Sequence, residues 1–220
     1  MLFEPFLQLL PVEIVPRVIS YPTNRHCSAD ELLGIVLSQL PNRHPYVLLA
    51  ESFSGPIALK ASSLHSTPPK ALILCASFAM CPLPRLLIIM LWILGKAFVQ
   101  RRIPRWLVRY YLLGQAPDEI ISLFYSAVSI VAPCVLARRI RVLAEFDSEY
   151  SPALKKVPIL YLKAAQDRIV GSRHLCLIQR RYPTVKVIEI ASPHLMLQSQ
   201  PDPSMHAILN FIKMNSTSQS

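Results

Sequence analysis

Apolar positions along this chain change their spacing several times, and each change marks an element. Residues 2–10 carry apolar side chains at helical spacing until Pro11 stops them, and the β-branched run 17–21 (RVISY), closed by Pro22, reads as a short strand. Ser28 followed by Glu31 has the form of a capping box, and Leu32, Leu33, Val36, Leu37 and Leu40 then share one face, which predicts a helix ending near Pro41. Residues 46–50 (YVLLA) form a continuous apolar run suited to a strand buried on both faces. Glu51, Ser52 and Phe53 make a turn, and a helix follows. Residues 71–78 (ALILCASF) read as another buried strand. From residue 80 to 151 the strand signal gives way to helical periods interrupted by Pro82, Pro84, Pro104, Pro117 and Pro133. Strands return at 158–165 and 185–191, with a helix at about 172–181 between them. A last helix is expected at about 202–214, followed by a disordered polar tail. This alternation predicts a single α/β domain over residues 1–220, a mostly parallel sheet flanked by helices with a helical insertion, residues 80–151, between two strands.

Composition narrows the class. Hydrophobic residues make up 52% of the 220 and charged residues 16%, yet the longest unbroken apolar run, residues 86–94, is too short to span a bilayer. The N-terminus lacks the positive region and cleavage site of a secretory signal, so a cytoplasmic protein is expected, with peripheral membrane contact as an option. Five widely spaced cysteines (Cys27, Cys75, Cys81, Cys134, Cys176) make neither a disulfide framework nor a zinc pattern and are expected to be buried thiols. The net charge of +10 is concentrated in Arg101, Arg102, Arg105 and Arg109 and in Arg138, Arg139 and Arg141. With no nucleic-acid motif beside them, these arginines suit an anionic lipid surface, a phosphate-bearing substrate or plain solvation better than DNA or RNA.

In a parallel α/β sheet, functional residues occupy the loops that leave the carboxyl ends of the strands. Here those loops hold Ser52 after 46–50, Asp167 after 158–165 and His194 after 185–191. Each has a plainer reading: Ser52 or Asp167 as a helix cap, His194 as a structural histidine. Together they form the order Ser, Asp, His, each at the end of its own strand. Ala50 and Ser54, two residues to either side of Ser52, are small, as a sharp strand-to-helix turn requires, and Gly55 allows close packing of the helix. His26, His44, His65, His174 and His206 lie at no matching strand end.

These segments identify a resemblance to the α/β-hydrolase superfamily of esterases, lipases and thioesterases. AESFSG resembles the nucleophile elbow with both glycines replaced, YLKAAQDRIV the acid loop and IASPHLMLQSQP the histidine loop. The resemblance implies Ser52 as nucleophile, His194 as general base and acid, Asp167 as its orienting carboxylate, the backbone N–H of Phe53 as an oxyanion donor, and no metal or cofactor. It also implies that residues 80–151 are the cap. The family's second oxyanion donor comes from a Gly-rich loop that would precede the present first residues, so the chain is expected to be N-terminally shortened, with the corresponding strand missing between residues 17–21 and 46–50. Trp92, Trp106 and Tyr110 in the cap are candidates to line a pocket for a hydrophobic acyl ester, thioester or lipid. A non-catalytic protein of this fold and an acyltransferase with the same triad are the alternatives.

Overall fold

Short apolar strands separated by helices build, in the computed structural model, one four-stranded parallel sheet. The structure describes residues 1–81, 103–142, 145 and 151–217. A short helix α1 (Glu4–Leu7) leads to α2 (Ala29–Leu37), β1 (Val47–Glu51), α3 (Ser54–Leu64) and β2 (Ala71–Cys75). The stretch between β2 and β3 contains α4 (Arg105–Val108), which runs into a π-helical turn, Arg109–Leu113, and then α5 (Asp118–Ser129) and α6 (Pro133–Val142). After a 3₁₀ turn come β3 (Ile159–Ala164), α7 (Ser172–Arg181), β4 (Lys186–Ile190), α8 (Met196–Ser199) and α9 (Pro201–Thr217).

The strands lie in the order β1-β2-β3-β4, all parallel, with Glu51 opposite Cys75 and Cys75 opposite Leu162. Their carboxyl ends are therefore level, and the loops that follow them share one rim. Strand β2 is buried along its whole length, as its continuous apolar sequence demands. Alternate side chains feed two cores. Leu48, Ala50, Leu72, Leu74, Ile159 and Tyr161 pack with α2, α3 and α7 on one face. On the other, Ile73, Cys75, Leu160, Leu162 and Ile190 meet Phe6, Met196, Leu197 and α9. A third cluster, Val108, Leu113, Ile121 and Phe124, belongs to the stretch between β2 and β3, and Leu195 packs against it.

Local sequence signals account for most boundaries. The Ser28 hydroxyl accepts the Glu31 N–H at 3.2 Å while the Glu31 carboxylate accepts the Ser28 N–H at 2.8 Å, completing the capping box of α2. Several expectations need correction. The first helix covers Glu4–Leu7 rather than residues 2–10, and α9 continues to Thr217, into the tail expected to be disordered. Glu51 is the last residue of β1 and not part of the turn. Cys134 and Cys176 are exposed, so only Cys27 and Cys75 are the buried thiols expected.

Residues 17–21 form no strand. Pro16 and Pro22 bracket the run and lack N–H groups, and its members hold on by side chains: Ile19 and Tyr21 pack on the core, and Arg17 donates to the Gln39 carbonyl at 2.9 Å. A cavity of about 270 Å³ lies beside β1, walled by residues 14–19, by α1 and by α9. It leaves β1 as an edge strand. Among the described residues no single helix is long and apolar enough to cross a membrane; α5 and the first turns of α6 reach that length and composition only together, across a 98° bend.

Replacing Ser28 by Ala removes one half of the capping box. The expected loss is about 1 kcal/mol, a fall in Tm of roughly 2–4 °C for a chain of this size, read by a thermal scan.

Candidate active site

Ser52 sits at the joint between β1 and α3 with φ +51°, a left-handed conformation that is rare for a residue with a side chain. Its N–H still donates to the Cys75 carbonyl at 2.9 Å, which extends the β1–β2 ladder one residue past the strand. Its carbonyl is taken at once by the turn, accepting from the Gly55 N–H at 3.0 Å and from the Ser77 hydroxyl at 3.0 Å. The backbone is thus held on both sides of a conformation that costs about 1–3 kcal/mol. Gly55 makes the joint possible: a Cβ at that position would overlap the Ser77 hydroxyl. The reversal lifts the Ser52 side chain above the sheet's rim.

Over that rim the Ser52 Oγ lies 2.7 Å from His194 Nε2, and His194 Nδ1 lies 2.8 Å from Asp167 Oδ2. Three residues from distant parts of the sequence are therefore in one hydrogen-bonded line. The histidine and aspartate side chains are only 3% and 5% exposed, so water competes little for either bond. Asp167 uses its other oxygen, Oδ1, to accept the N–H groups of Ile169 at 2.8 Å and Val170 at 2.9 Å. That turn fixes the carboxylate, and α7 starts later, at Ser172, with Gly171 at its cap, so Asp167 does not serve as the helix cap. Chemically, a hydroxyl bonded to an imidazole that is bonded in turn to a fixed carboxylate can pass its proton to the ring as it attacks an electrophile.

The loops that carry the acid and the histidine are tied to each other and to the π-helical turn. Ala165 N–H donates to the Ile190 carbonyl at 2.9 Å and Gln166 N–H to the Ser192 carbonyl at 3.0 Å. Leu195 N–H reaches the Leu112 carbonyl at 2.9 Å, and Gly114 (φ +56°) runs so close to Pro193 that a Cβ would sit 3.3 Å from its ring. Arg168 donates to the Tyr110 carbonyl at 3.0 Å and lies 3.8 Å over the Tyr110 ring. Tyr110, expected from sequence near the site, is thus joined to the acid loop while 52% exposed. Trp106 stands out at 66% exposure, and Trp92 lies outside the described residues. Phe53, directly after Ser52, is the N-cap of α3, and its ring meets Tyr21 edge-on. The arginines read as a basic cluster are partly engaged: Arg105 and Arg109 both pair with Asp118, at 2.8 and 2.6 Å.

Four supporting residues carry no sequence motif. Glu51, one residue before Ser52, is buried and accepts the Leu197 N–H at 3.0 Å and the Gln198 side-chain N–H at 2.9 Å. Burial pushes its carboxyl up, opposed by those two donors. Tyr161 donates from β3 to the Ser77 carbonyl at 2.7 Å, and burial and then the nearby Asp167 charge push its phenol up, keeping it a donor. A charged residue closing an otherwise apolar strand was the one available hint for Glu51, and Tyr161 had none. Ser77 and Gln198 gave none. Among the described residues no cluster of three or more His, Cys, Asp or Glu side chains could hold a metal ion.

A model described as the alpha/beta hydrolase family matches residues 14–204. No curated protein matches significantly. Among solved structures, the chain is similar to a bromoperoxidase from Bacillus anthracis, with TM-score 0.72, 15% identity and coverage of 88% of this chain and 77% of that one. It is similar also to a carboxylesterase structure from Nitrososphaera gargenis, with TM-score 0.71, 11% identity and coverage of 88% and 74%. An esterase from Exiguobacterium antarcticum gives TM-score 0.70, 13% identity and coverage of 84% and 74%. At such identities the likeness is one of fold.

Gly55→Ala forces the new methyl group into Ser77 and displaces the Ser52 turn. The expected result is a loss of several degrees in Tm together with loss of Ser52 reactivity, and Gly55→Ala combined with Ser77→Gly should recover part of both, measured by thermal scanning and by an active-site serine probe.

Proposed function

The chain belongs to the alpha/beta hydrolase family, and on that premise we propose that it is a serine hydrolase cleaving carboxylic ester or thioester bonds of hydrophobic acyl substrates through an acyl-enzyme. The observation that carries the proposal is the continuous line from Ser52 Oγ through both nitrogens of His194 to Asp167. A serine hydroxyl is a weak nucleophile at neutral pH, and it attacks a carbonyl only as a base removes its proton. His194 Nε2 is in place to take that proton. Asp167 holds Nδ1–H, which fixes the tautomer with Nε2 free to accept and supports the cation that forms.

The proposed sequence has two halves. Ser52 Oγ bonds to the acyl carbon while its proton passes to His194, and the carbonyl oxygen gains the negative charge of a tetrahedral intermediate. The N–H of Phe53, the residue after the nucleophile, is the proposed donor to that oxygen. Collapse expels the alcohol or thiol, which receives the proton from His194 and leaves Ser52 acylated. A water molecule then gives its proton to His194, attacks the acyl carbon and releases the acid, and the proton returns to Ser52.

An apolar acyl group is favoured by the aromatic side chains on the stretch between β2 and β3, where Trp106, Tyr110 and Tyr111 are exposed and Tyr110 is bound to the acid loop through Arg168. The same exposed aromatics suit contact with a lipid surface better than the neighbouring arginines do, since Arg105 and Arg109 already share Asp118.

Turnover of p-nitrophenyl esters from acetyl to palmitoyl tests the proposal. Wild-type protein should hydrolyse them, Ser52→Ala should lower kcat by about six decades, and Asp167→Asn should lower it by about three to four decades. Equal rates for wild type and Ser52→Ala would overturn it.

A further inference from the structure

A buried carboxylate next to a reactive serine needs a reason, because Glu51 sits on an otherwise apolar strand and burial disfavours its charged form. Its two oxygens point across the rim of the sheet to the segment that carries the histidine. Oε1 accepts the N–H of Leu197 at 3.0 Å, and Oε2 accepts the side-chain N–H of Gln198 at 2.9 Å. Leu197 and Gln198 are the residues three and four places after His194, and Glu51 is the residue before Ser52. One side chain therefore bridges the two loops whose separation is the 2.7 Å contact between hydroxyl and imidazole.

The other bonds on the histidine loop do not do this. Leu195 is tied to Leu112, and Ser192 accepts from Gln166, so those contacts hold the loop to the π-helical turn and to the acid loop. Among the described residues that bond to residues 195–198, Glu51 is the partner that belongs to the serine's own strand. Charge matters beside geometry. The groups whose charges act at Glu51 and its neighbours are His194 and the Cys75 thiol of β2, with Asp167 hydrogen-bonded to the imidazole and Tyr161 near both Asp167 and Cys75. Cys75 is pushed well up by burial and then by Glu51, and so stays a neutral thiol. His194 is thus the cationic partner available to Glu51 when the ring takes a proton.

We propose that Glu51 is a positioning residue for the reaction: it ties the histidine loop to the serine's strand, and as a carboxylate it supports the imidazolium. This rests on the hydrolase reading above, but its structural half does not depend on turnover. Gln198 makes a clean test possible. Its Oε1 is buried with no hydrogen-bond partner, so in Glu51→Gln the new amide can accept from Leu197 and donate to Gln198 once the Gln198 amide turns over. That variant removes the charge and keeps both ties, whereas Glu51→Ala removes everything.

The experiment measures amide hydrogen exchange and the pH dependence of kcat/KM for an acetyl ester in wild type, Glu51→Gln and Glu51→Ala. In Glu51→Ala the Leu197 amide should exchange much faster, while the β2 and β3 amides keep their protection, and kcat should fall by about ten- to a hundredfold with KM nearly unchanged. In Glu51→Gln the Leu197 amide should stay protected. The acid limb of its pH profile should move to lower pH by roughly half a unit, because the ring's cation has lost a neighbouring negative charge. Unchanged Leu197 exchange in Glu51→Ala, or an acid limb that stays in place in Glu51→Gln, would overturn the proposal, the second result marking Glu51 as structural only. Wild-type protein that shows the exchange pattern but hydrolyses no ester would instead remove the hydrolase reading and leave the tie standing.

Discussion

Everything at the rim of the sheet depends on holding Ser52 in a left-handed turn. An alanine-sized backbone would relax out of φ +51° if only the local sequence decided, at a gain of about 1–3 kcal/mol. Three hydrogen bonds prevent it: the Ser52 N–H stays in register with Cys75, and the Ser52 carbonyl is met by Gly55 and Ser77. Ser77 is in turn braced by Tyr161 from the next strand. The strain is therefore spread over three neighbouring strands, and it is the parallel register of β1, β2 and β3 that pins the hydroxyl above the rim.

A second consequence of that register is that strand ends remote in sequence become neighbours. Asp167 follows β3 and His194 follows β4, and the two loops exchange backbone bonds before their side chains meet. The imidazole is then held at both nitrogens, by Ser52 at one and Asp167 at the other, while Leu112 and Glu51 hold the following backbone at Leu195 and Leu197. Burial of the ring and of the acid to a few per cent exposure lets these contacts act in a medium where water does not compete.

How much of this was legible in the sequence depends on whether a signal was local. Strand β2 and the capping box of α2 were, because a continuous apolar run and a Ser-x-x-Glu pattern are each sufficient alone. So were Ser52, Asp167 and His194, since each needs only to follow a recognisable strand. The run at residues 17–21 satisfies strand propensity yet forms no strand: prolines bound it on both sides, and Ile19 and Tyr21 find apolar contacts on the core instead. Ser77, Tyr161 and Gln198 could not be found, and Glu51 showed only as a charge at the end of an apolar run, as their roles exist only between elements that lie far apart in the chain.

The central claim is that Ser52 is a nucleophile made reactive by His194. Treating the folded protein with a fluorophosphonate and mapping the adduct by peptide mass spectrometry tests it most directly. The account predicts a single phosphonylated residue, Ser52, and no adduct in His194→Ala under the same conditions. An adduct on another residue, or equal labelling of Ser52 with and without the imidazole, would contradict it.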